Sequence, residues 1–203
     1  PFDDFRGNRI IIANRLAAER GIDITNPANL DADGFPKGLG KNTQAVLIPS
    51  FLSAYTGVYG SKMGDDARNT STSIFRDIPI PNWNIKYTGL MRYKFFKDSF
   101  KRFSVAHTYK SSYTINQFRS NLDFYKSQTG LDSGGNFLNE TIIQNINLVE
   151  QFNPLLRIDF ETKSAFKILA EMKKDRALSL SFDNNLLTEV KGIEYVFGLG
   201  YRI

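Results

Sequence analysis

The sequence predicts an all-β, antiparallel transmembrane β-barrel segment, preceded by a partly helical, plug-like region. Residues 193–203 alternate large apolar side chains with small or polar ones, and a period of two residues is typical of a strand. Their number matches the roughly 9–11 residues that a tilted strand needs to cross a bilayer. Aromatic residues make up 13% of the chain, which suits the girdles of a membrane barrel and equally a Phe-rich soluble sandwich.

Composition narrows the classes of protein that fit. No run approaches the roughly 18 apolar residues of a spanning helix, which excludes a helical membrane protein. A barrel still fits, because half of each strand faces a polar lumen. The chain has no cysteine, which excludes disulfides and thiolate metal sites. Its 26 basic and 21 acidic residues are mixed along the chain, which favours a charge-mixed surface over a nucleic-acid site.

The first 80 residues are predicted to form helices and loops. Residues 9–20 read as a helix, with Asn8 as its N-cap and Gly21 just beyond its end. A second helical segment spans residues 43–55, where Pro49 is expected to kink the helix or restart it. We expect residues 1–80 to fold into a barrel lumen or to cap one end of it.

From Trp83 onward the hydrophobic period changes to two, and residues 81–203 are predicted to hold about eight strands. Short connections predict an antiparallel, up-and-down order, with a tight hairpin at Asp175–Arg176. The predicted strands are 83–90, 103–115, 118–125, 141–150, 156–163, 166–173, 178–183 and 193–203.

Alternation divides these strands into an apolar and a polar face. The apolar set, expected to face lipid, is Trp83, Ile85, Tyr87, Phe103, Val105, Ile158, Phe160, Leu178, Leu180, Phe182, Tyr195, Phe197, Leu199 and Tyr201. The polar set, expected to face the lumen, is Asn84, Lys86, Thr108, Lys110, Arg157, Asp159, Glu161, Ser179, Ser181, Glu194 and Arg202. A soluble barrel would instead bury the apolar set as its core. His107 shares a face with Val105 and Tyr109, which counts against lipid there.

Turn length predicts an orientation for a membrane barrel. Short turns usually lie on the periplasmic side and longer loops outside. The Asp175–Arg176 turn is therefore expected to be periplasmic, with residues 91–102 and 127–138 both facing outward and residues 1–80 entering from the periplasm.

No arrangement of residues predicts catalysis. His107 is the single histidine, and no Gly-x-Ser-x-Gly motif accompanies it. The segment Asp31-x-Asp33-Gly34 lacks the closing Glu of a calcium loop and is better interpreted as a turn. Residues 38–43 are glycine-rich and basic but lack the full phosphate-loop pattern. We therefore predict a non-enzyme with no metal site and no cofactor.

Several long segments resemble one known family. They occur in order over most of the chain and include QAVLIPSFLSAYTG at 44–57 and PNWNIKYTGL at 81–90. The others are 4–9, 12–17, 38–40, 107–113, 186–190 and 198–202. Together they resemble the SprA/Sov family, the giant outer-membrane translocon of the Bacteroidota type IX secretion system.

The resemblance implies a role in protein export at the surface of a Gram-negative Bacteroidota cell. It implies an integral outer-membrane barrel that passes folded cargo sideways out of its lumen, in a system linked to gliding motility. The implied partners are the rest of the same giant chain, a PorV-like outer-membrane barrel, a periplasmic plug protein, secreted cargo with a C-terminal type IX signal, and membrane lipid or lipopolysaccharide. It implies no catalytic residues and no nucleic-acid partner.

Length separates this chain from the family, whose members are many times longer. About eight strands close only a narrow barrel that its own side chains fill. The resemblance therefore implies a C-terminal-region fragment, an arc of a larger barrel whose edge strands need neighbours in lipid. Two alternatives remain open: a small stand-alone eight-stranded barrel acting as an adhesin or anchor, and a soluble β-rich binding module.

Overall fold

The structure is a computed structural model that describes residues 1–57 and 64–201. The chain divides into two compact units. The first unit contains residues 1–79, 117–144 and 182–185, and the second contains residues 80–116, 145–181 and 186–203. The helices are α1 (Phe2–Glu19), α2 (Gln44–Thr56), α3 (Asp65–Asn69), α4 (Lys94–Ser99) and α5 (Leu122–Lys126), and 3-10 turns cover Pro27–Asn29 and Gly89–Arg92.

Helix α1 begins seven residues earlier than the sequence predicts. Asp3 and Asp4 lie in its first turn, where carboxylates favour the positive end of the helix dipole. Asn8 is therefore not an N-cap: it lies inside the helix, buried, and its amide nitrogen donates to Ser53 Oγ in α2 at 2.8 Å. The predicted end is confirmed, because Gly21 has φ +68° and its N–H donates to the Ala18 carbonyl at 3.1 Å, as in a Schellman motif.

The core of the first unit forms around α1 and α2. Ile12 and Leu16 of α1 join Val46 of α2 and the loop residues Phe35 and Leu39 in one buried cluster. Helix α2 continues through Pro49 instead of restarting there. Because proline has no N–H, the helix loses one internal hydrogen bond at this point. Burial of the apolar residues around Pro49 keeps the helix in place despite that loss.

Two turns in the first unit share one hydrogen-bond scheme. In the turn at residues 30–36, Asp31 Oδ1 accepts the N–H groups of Asp33 and Phe35, at 2.9 and 2.8 Å. In the turn at residues 131–137, Asp132 Oδ1 accepts the N–H groups of Gly134 and Asn136, both at 2.8 Å. The interpretation of Asp31-x-Asp33-Gly34 as a turn is therefore confirmed. In each of the two turns, hydrogen bonds to one Asp carboxylate hold the backbone in place.

Gly34 and Gly38 share a left-handed backbone but have different surroundings. Their φ angles are +82° and +88°, a region that disfavours any residue with a Cβ. A Cβ at Gly34 would meet nothing within 4 Å, whereas a Cβ at Gly38 would overlap the ring of Phe137. The Phe137 N–H also donates to the Gly38 carbonyl at 2.9 Å, which holds the two segments together.

The second unit is dominated by an open antiparallel sheet. The strands of the sheet are β1 (Trp83–Tyr87), β2 (Phe100–Ser120), β3 (Thr141–Thr162), β4 (Phe166–Ser181) and β5 (Leu186–Tyr201). Residues 117–120 of β2 and 141–144 of β3 belong to the first unit. The order in the sheet follows the chain, so β1 and β5 are its edges. The predicted all-β barrel is thus not confirmed: the described residues form an open sheet together with helices.

Five strands, four of them 16–22 residues long, replace the predicted set of about eight. Residues 141–150 and 156–162 are parts of β3, and residues 166–173 and 178–181 are parts of β4. The predicted Asp175–Arg176 turn is wrong, since both residues are paired in mid-strand with Gln151 and Glu150 of β3.

The predicted strand at 118–125 is also wrong. There β2 ends at Ser120, and α5 follows with the Asn121 side chain accepting from the Asp123 N–H at 3.2 Å. Residues 91–99 precede β2, whereas residues 127–138 follow β2 and α5. The two connections therefore leave β2 at opposite ends, which contradicts the prediction that they lie on the same side.

Alanine at the two glycines gives a matched test of this fold. We expect Gly34→Ala to lower the free energy of unfolding by about 1–2 kcal/mol, the cost of a left-handed residue with a Cβ. Gly38→Ala should cost about 1–3 kcal/mol more, because the new methyl group also displaces Phe137. Urea unfolding of both variants measures the difference, and equal losses would contradict the packing of Phe137 on Gly38.

Candidate functional site: the two faces of the sheet

Strand register places large apolar side chains on one face of the sheet, which we name the apolar face. On β1 and β2, Trp83, Ile85 and Tyr87 pair with Tyr109, His107 and Val105. On β3 to β5, Ile158 pairs with Ala170 and Ala170 with Phe197, while Phe160 pairs with Ile168 and Ile168 with Leu199. Residues directly opposite in an antiparallel pair project to the same side. The face is therefore continuous from β1 to β5.

The apolar face is exposed over much of its length. Phe197 and Leu199 keep 78% and 86% of their surface accessible, and Tyr195 and Tyr201 are exposed as well. Trp83, Ile85 and Tyr87 on β1 are likewise exposed. A contiguous group of exposed large apolar side chains is unusual on a monomeric soluble protein and marks an interaction surface.

Most residues predicted to face lipid lie on this face, and three do not fit that role. Leu178 and Leu180 are on the same side of β4, but each is only 1% exposed, so they are core residues in this chain. Phe182 is predicted to face lipid within a strand at 178–183, whereas β4 ends at Ser181 and Phe182 begins the connection to β5. Its N–H donates to the Gln144 carbonyl at 2.9 Å.

Aromatic rings group at two levels of the apolar face. The first group, the Phe cluster, contains Phe96, Phe100, Phe103 and Phe160, with ring centroids 4.9–5.8 Å apart. The second group, the Trp cluster, contains Trp83, His107, Tyr109 and Phe152. Its Trp83 and Phe152 rings lie 4.5 and 4.8 Å from the ring of Tyr109. The Phe cluster lies near the 163–165 turn, and the Trp cluster lies farther along the strands.

His107 has a structural partner on the apolar face. Its Nδ1 lies 2.6 Å from the Leu155 carbonyl oxygen, so the imidazole donates a hydrogen bond there. Leu155 belongs to the irregular segment of β3 between Phe152 and Leu156, where the pairing with β4 is interrupted. The imidazole therefore satisfies a carbonyl that the bulge releases from the ladder, which explains a polar ring among apolar ones.

Ionic side chains fill the opposite side of the sheet, which we name the charged face. Arg102 lies 3.4 Å from Asp159 and from Glu161, and Arg157 lies 3.5 Å from Asp159 and from Glu171. Further contacts extend this chain of pairs. Lys101 lies 3.5 Å from Glu161. Lys173 lies 3.7 Å from Glu171 and 3.1 Å from Glu194. Opposite charges thus form one continuous ladder from β2 to β5.

The residues predicted to face a lumen occupy this charged face. Asn84 pairs with Thr108, and Lys86 pairs with Ala106, on the side opposite to the apolar residues of β1. Ser179 and Ser181 alternate on β4 with the residues of the apolar face and so share the side of Glu171. Arg202 lies outside the described residues.

A row of polar residues that sequence analysis missed crosses the apolar face. This polar row consists of Tyr109, Glu150, Arg176 and Lys191 on β2, β3, β4 and β5. Glu150 pairs with Arg176, and Arg176 pairs with Lys191. Local patterns hide the row, because the adjacent charges of Asp175 and Arg176 predict a turn. The signal that could have revealed the row is the even spacing of Ile168, Met172 and Arg176 along one continuous strand, which places Arg176 on the apolar face.

The described residues form no metal centre and no helical membrane span. Within residues 1–57 and 64–201, no three His, Asp or Glu side chains lie close enough to hold a metal ion. No helix in the same ranges is long and apolar enough to cross a membrane. Comparison with known proteins gave no family model and no curated protein that matches this chain.

Two glutamates on the charged face allow a matched test of the ladder. Glu171 is almost buried between Arg157 and Lys173, whereas Glu194 is exposed and, among residues 1–57 and 64–201, forms an ion pair with Lys173 only. We expect Glu171→Gln to lower the free energy of unfolding by about 1–2 kcal/mol, because two cations lose their shared partner. Glu194→Gln should cost under about 0.5 kcal/mol, as exposed pairs do. Urea unfolding compares them, and an equal cost would contradict a ladder centred on Glu171.

Proposed function

We propose that the sheet is an arc of the wall of a large outer-membrane β-barrel. In this proposal the barrel belongs to a protein-conducting translocon that exports folded cargo by type IX secretion. The chain is then a fragment of a longer protein of the SprA/Sov family, which it resembles. The observation that carries the proposal is the exposed apolar face lying directly opposite the charged face on the same antiparallel strands. Apolar-out and polar-in alternation is the pattern of a barrel wall in a membrane.

The apolar face supports contact with lipid. Its side chains include Tyr195, Phe197, Leu199 and Tyr201, which would cost free energy if water covered them. Acyl chains cover such residues without that cost. The aromatic clusters add rings of the kind that line both interfaces of a membrane barrel.

The charged face supports contact with a water-filled lumen. Its carboxylates and cations are paired, and most of these side chains stay partly accessible to solvent. Large apolar side chains are few on this face of β4 and β5, where Leu169 and Leu186 lie among charged and small residues, so a folded cargo protein meets little adhesive surface. Such a wall suits passage of cargo, whereas a ligand-binding module would present convergent apolar contacts.

The edges of the sheet support a barrel larger than these five strands. Strands β1 and β5 each leave one side of their backbone unpaired within the sheet. Unpaired backbone groups cost several kcal/mol each in lipid, so a membrane wall has no open edge. We therefore assign the rest of the same giant chain as the neighbour of both edges. The PorV-like barrel, the plug protein and cargo with a type IX signal are further partners that rest on the resemblance alone, as does the placement of residues 1–80 as a lumen or cap insertion.

Depletion of the protein in its own cells tests the proposed function. Carbonate-washed outer membranes should retain the protein, and cargo with C-terminal type IX signals should accumulate in the periplasm when it is depleted. Retention in the membrane with normal export would identify a barrel with another role, such as an adhesin or anchor. Recovery as a compact monomer in buffer without detergent would identify a soluble β-rich module and overturn the proposal.

Neighbouring residues on β5 give a matched test of the two faces. Phe197 is central on the exposed apolar part of β5, and Val196 projects to the charged face opposite Glu171. We expect Phe197→Lys to destabilise the membrane-inserted protein by about 2–4 kcal/mol, the cost of a lysine at the bilayer midplane.

Val196→Lys is the control, because the new amine can pair with Glu171 in water. The amount of protein in washed outer membranes measures both variants. Equal retention of the two variants would show that the apolar face does not meet lipid.

A further inference from the structure

The polar row is held together by side-chain contacts across four strands. The Tyr109 hydroxyl donates to Glu150 Oε1 at 2.7 Å, and Arg176 Nε donates to Glu150 Oε2 at 2.7 Å. Arg176 also lies 3.9 Å from Glu189, which in turn lies 3.1 Å from the Lys191 amine. These contacts join β2 to β5 at one level of the sheet, so the row is a built feature and not a scatter of surface charges.

Burial of the apolar face changes abruptly at this row. Between the row and the 163–165 turn, the apolar side chains on β5 are exposed. Leu156 on β3 and Phe166 on β4 are exposed as well. On the other side of the row, Ile146, Leu148, Leu178 and Leu180 are buried. Along β3 and β4, the apolar side chains available to an outside partner are therefore those between the row and the 163–165 turn.

The height of the exposed part matches the apolar interior of an outer membrane. Its apolar stretch on β5 runs from Ile193 to Tyr201, which spans about 26 Å along a strand at roughly 3.3 Å per residue. A tilt of about 35–45° reduces this to roughly 20 Å, close to the apolar band of about 25 Å around membrane barrels. By contrast, β3 has 22 residues, too many for a bilayer to cover whole.

Residues at the row have the chemistry of a membrane interface. Lys191 belongs to the row, and Lys174 lies one step nearer the 163–165 turn, opposite Ile193 and Phe152. The rings of Trp83 and Tyr109 pack at the same level. Lysine amines favour lipid phosphate groups, and Trp and Tyr rings concentrate at headgroup depth.

We propose that the polar row marks the headgroup level at one boundary of the bilayer, an inference that rests on the proposed function. Acyl chains then cover the apolar face only from the row to the 163–165 turn, with Lys174 and Lys191 meeting lipid phosphate groups. Residues 145–149, 177–181 and 186–190 stand outside the bilayer, so the wall rises beyond the membrane on the side away from that turn.

Cysteine labelling along β5 tests this boundary in outer membranes that contain the full chain. The variants are Lys191→Cys at the row, Phe197→Cys and Leu199→Cys between the row and the 163–165 turn, and Glu194→Cys on the charged face. A membrane-impermeant maleimide is the probe, and mass spectrometry of the peptide that carries each position measures the labelled fraction. Retention in carbonate-washed membranes is the folding control for every variant.

We expect Lys191→Cys and Glu194→Cys to react about tenfold or more faster than Phe197→Cys and Leu199→Cys, because the thiolate that attacks maleimide forms in water and not among acyl chains. Slow labelling of Lys191→Cys with fast labelling of Glu194→Cys would place the row inside the bilayer and overturn this inference while leaving the membrane wall intact. Fast labelling of all four variants would place the apolar face in water and overturn the proposed function as well.

Discussion

Strand register is the constraint on which the rest of this structure depends. Successive side chains of a strand alternate between faces, so a slip of one residue would move every apolar side chain to the charged face. The irregular segment of β3 respects this rule. Phe152 pairs with Lys174 and Leu156 with Met172, so the register shifts by two residues and even-numbered side chains remain on the apolar face. The bulge therefore bends the ladder without mixing the two faces.

Periodicity in the sequence correctly predicted which neighbours share a face and failed to predict where strands end. Asp175 and Arg176 look like a turn because two adjacent charged residues interrupt an apolar alternation. In the structure Arg176 stays in the ladder, because Glu150, 26 residues away, compensates its charge. A distant partner of this kind leaves no local signal. The start of α1 is mispredicted for the same reason. Asn8 looks like an N-cap in the sequence, but its side chain bonds to Ser53 of α2, 45 residues away.

Periodicity also cannot tell what covers an apolar face. Leu180 on β4 and Leu199 on β5 both belong to the apolar face, and each lies in a segment where apolar and polar residues alternate. The sequence therefore predicts the same environment for both. The structure buries the first and exposes the second. Burial depends on the packing of remote chain segments, which local patterns do not encode. Here the difference separates the part of the sheet that the chain itself covers from the part available to a partner.

The ladder on the charged face has an electrical consequence. Lys101, Arg102, Arg157 and Lys173 are matched by Asp159, Glu161, Glu171 and Glu194, so these eight side chains carry no net charge. The field of alternating charges cancels within a short distance of the wall, and salt screens the remainder. Acidic and basic proteins therefore meet the same potential at this ladder. In the proposed translocon, the ladder itself does not select cargo by charge, and any such selection falls to residues outside it, such as Lys86 on the same face.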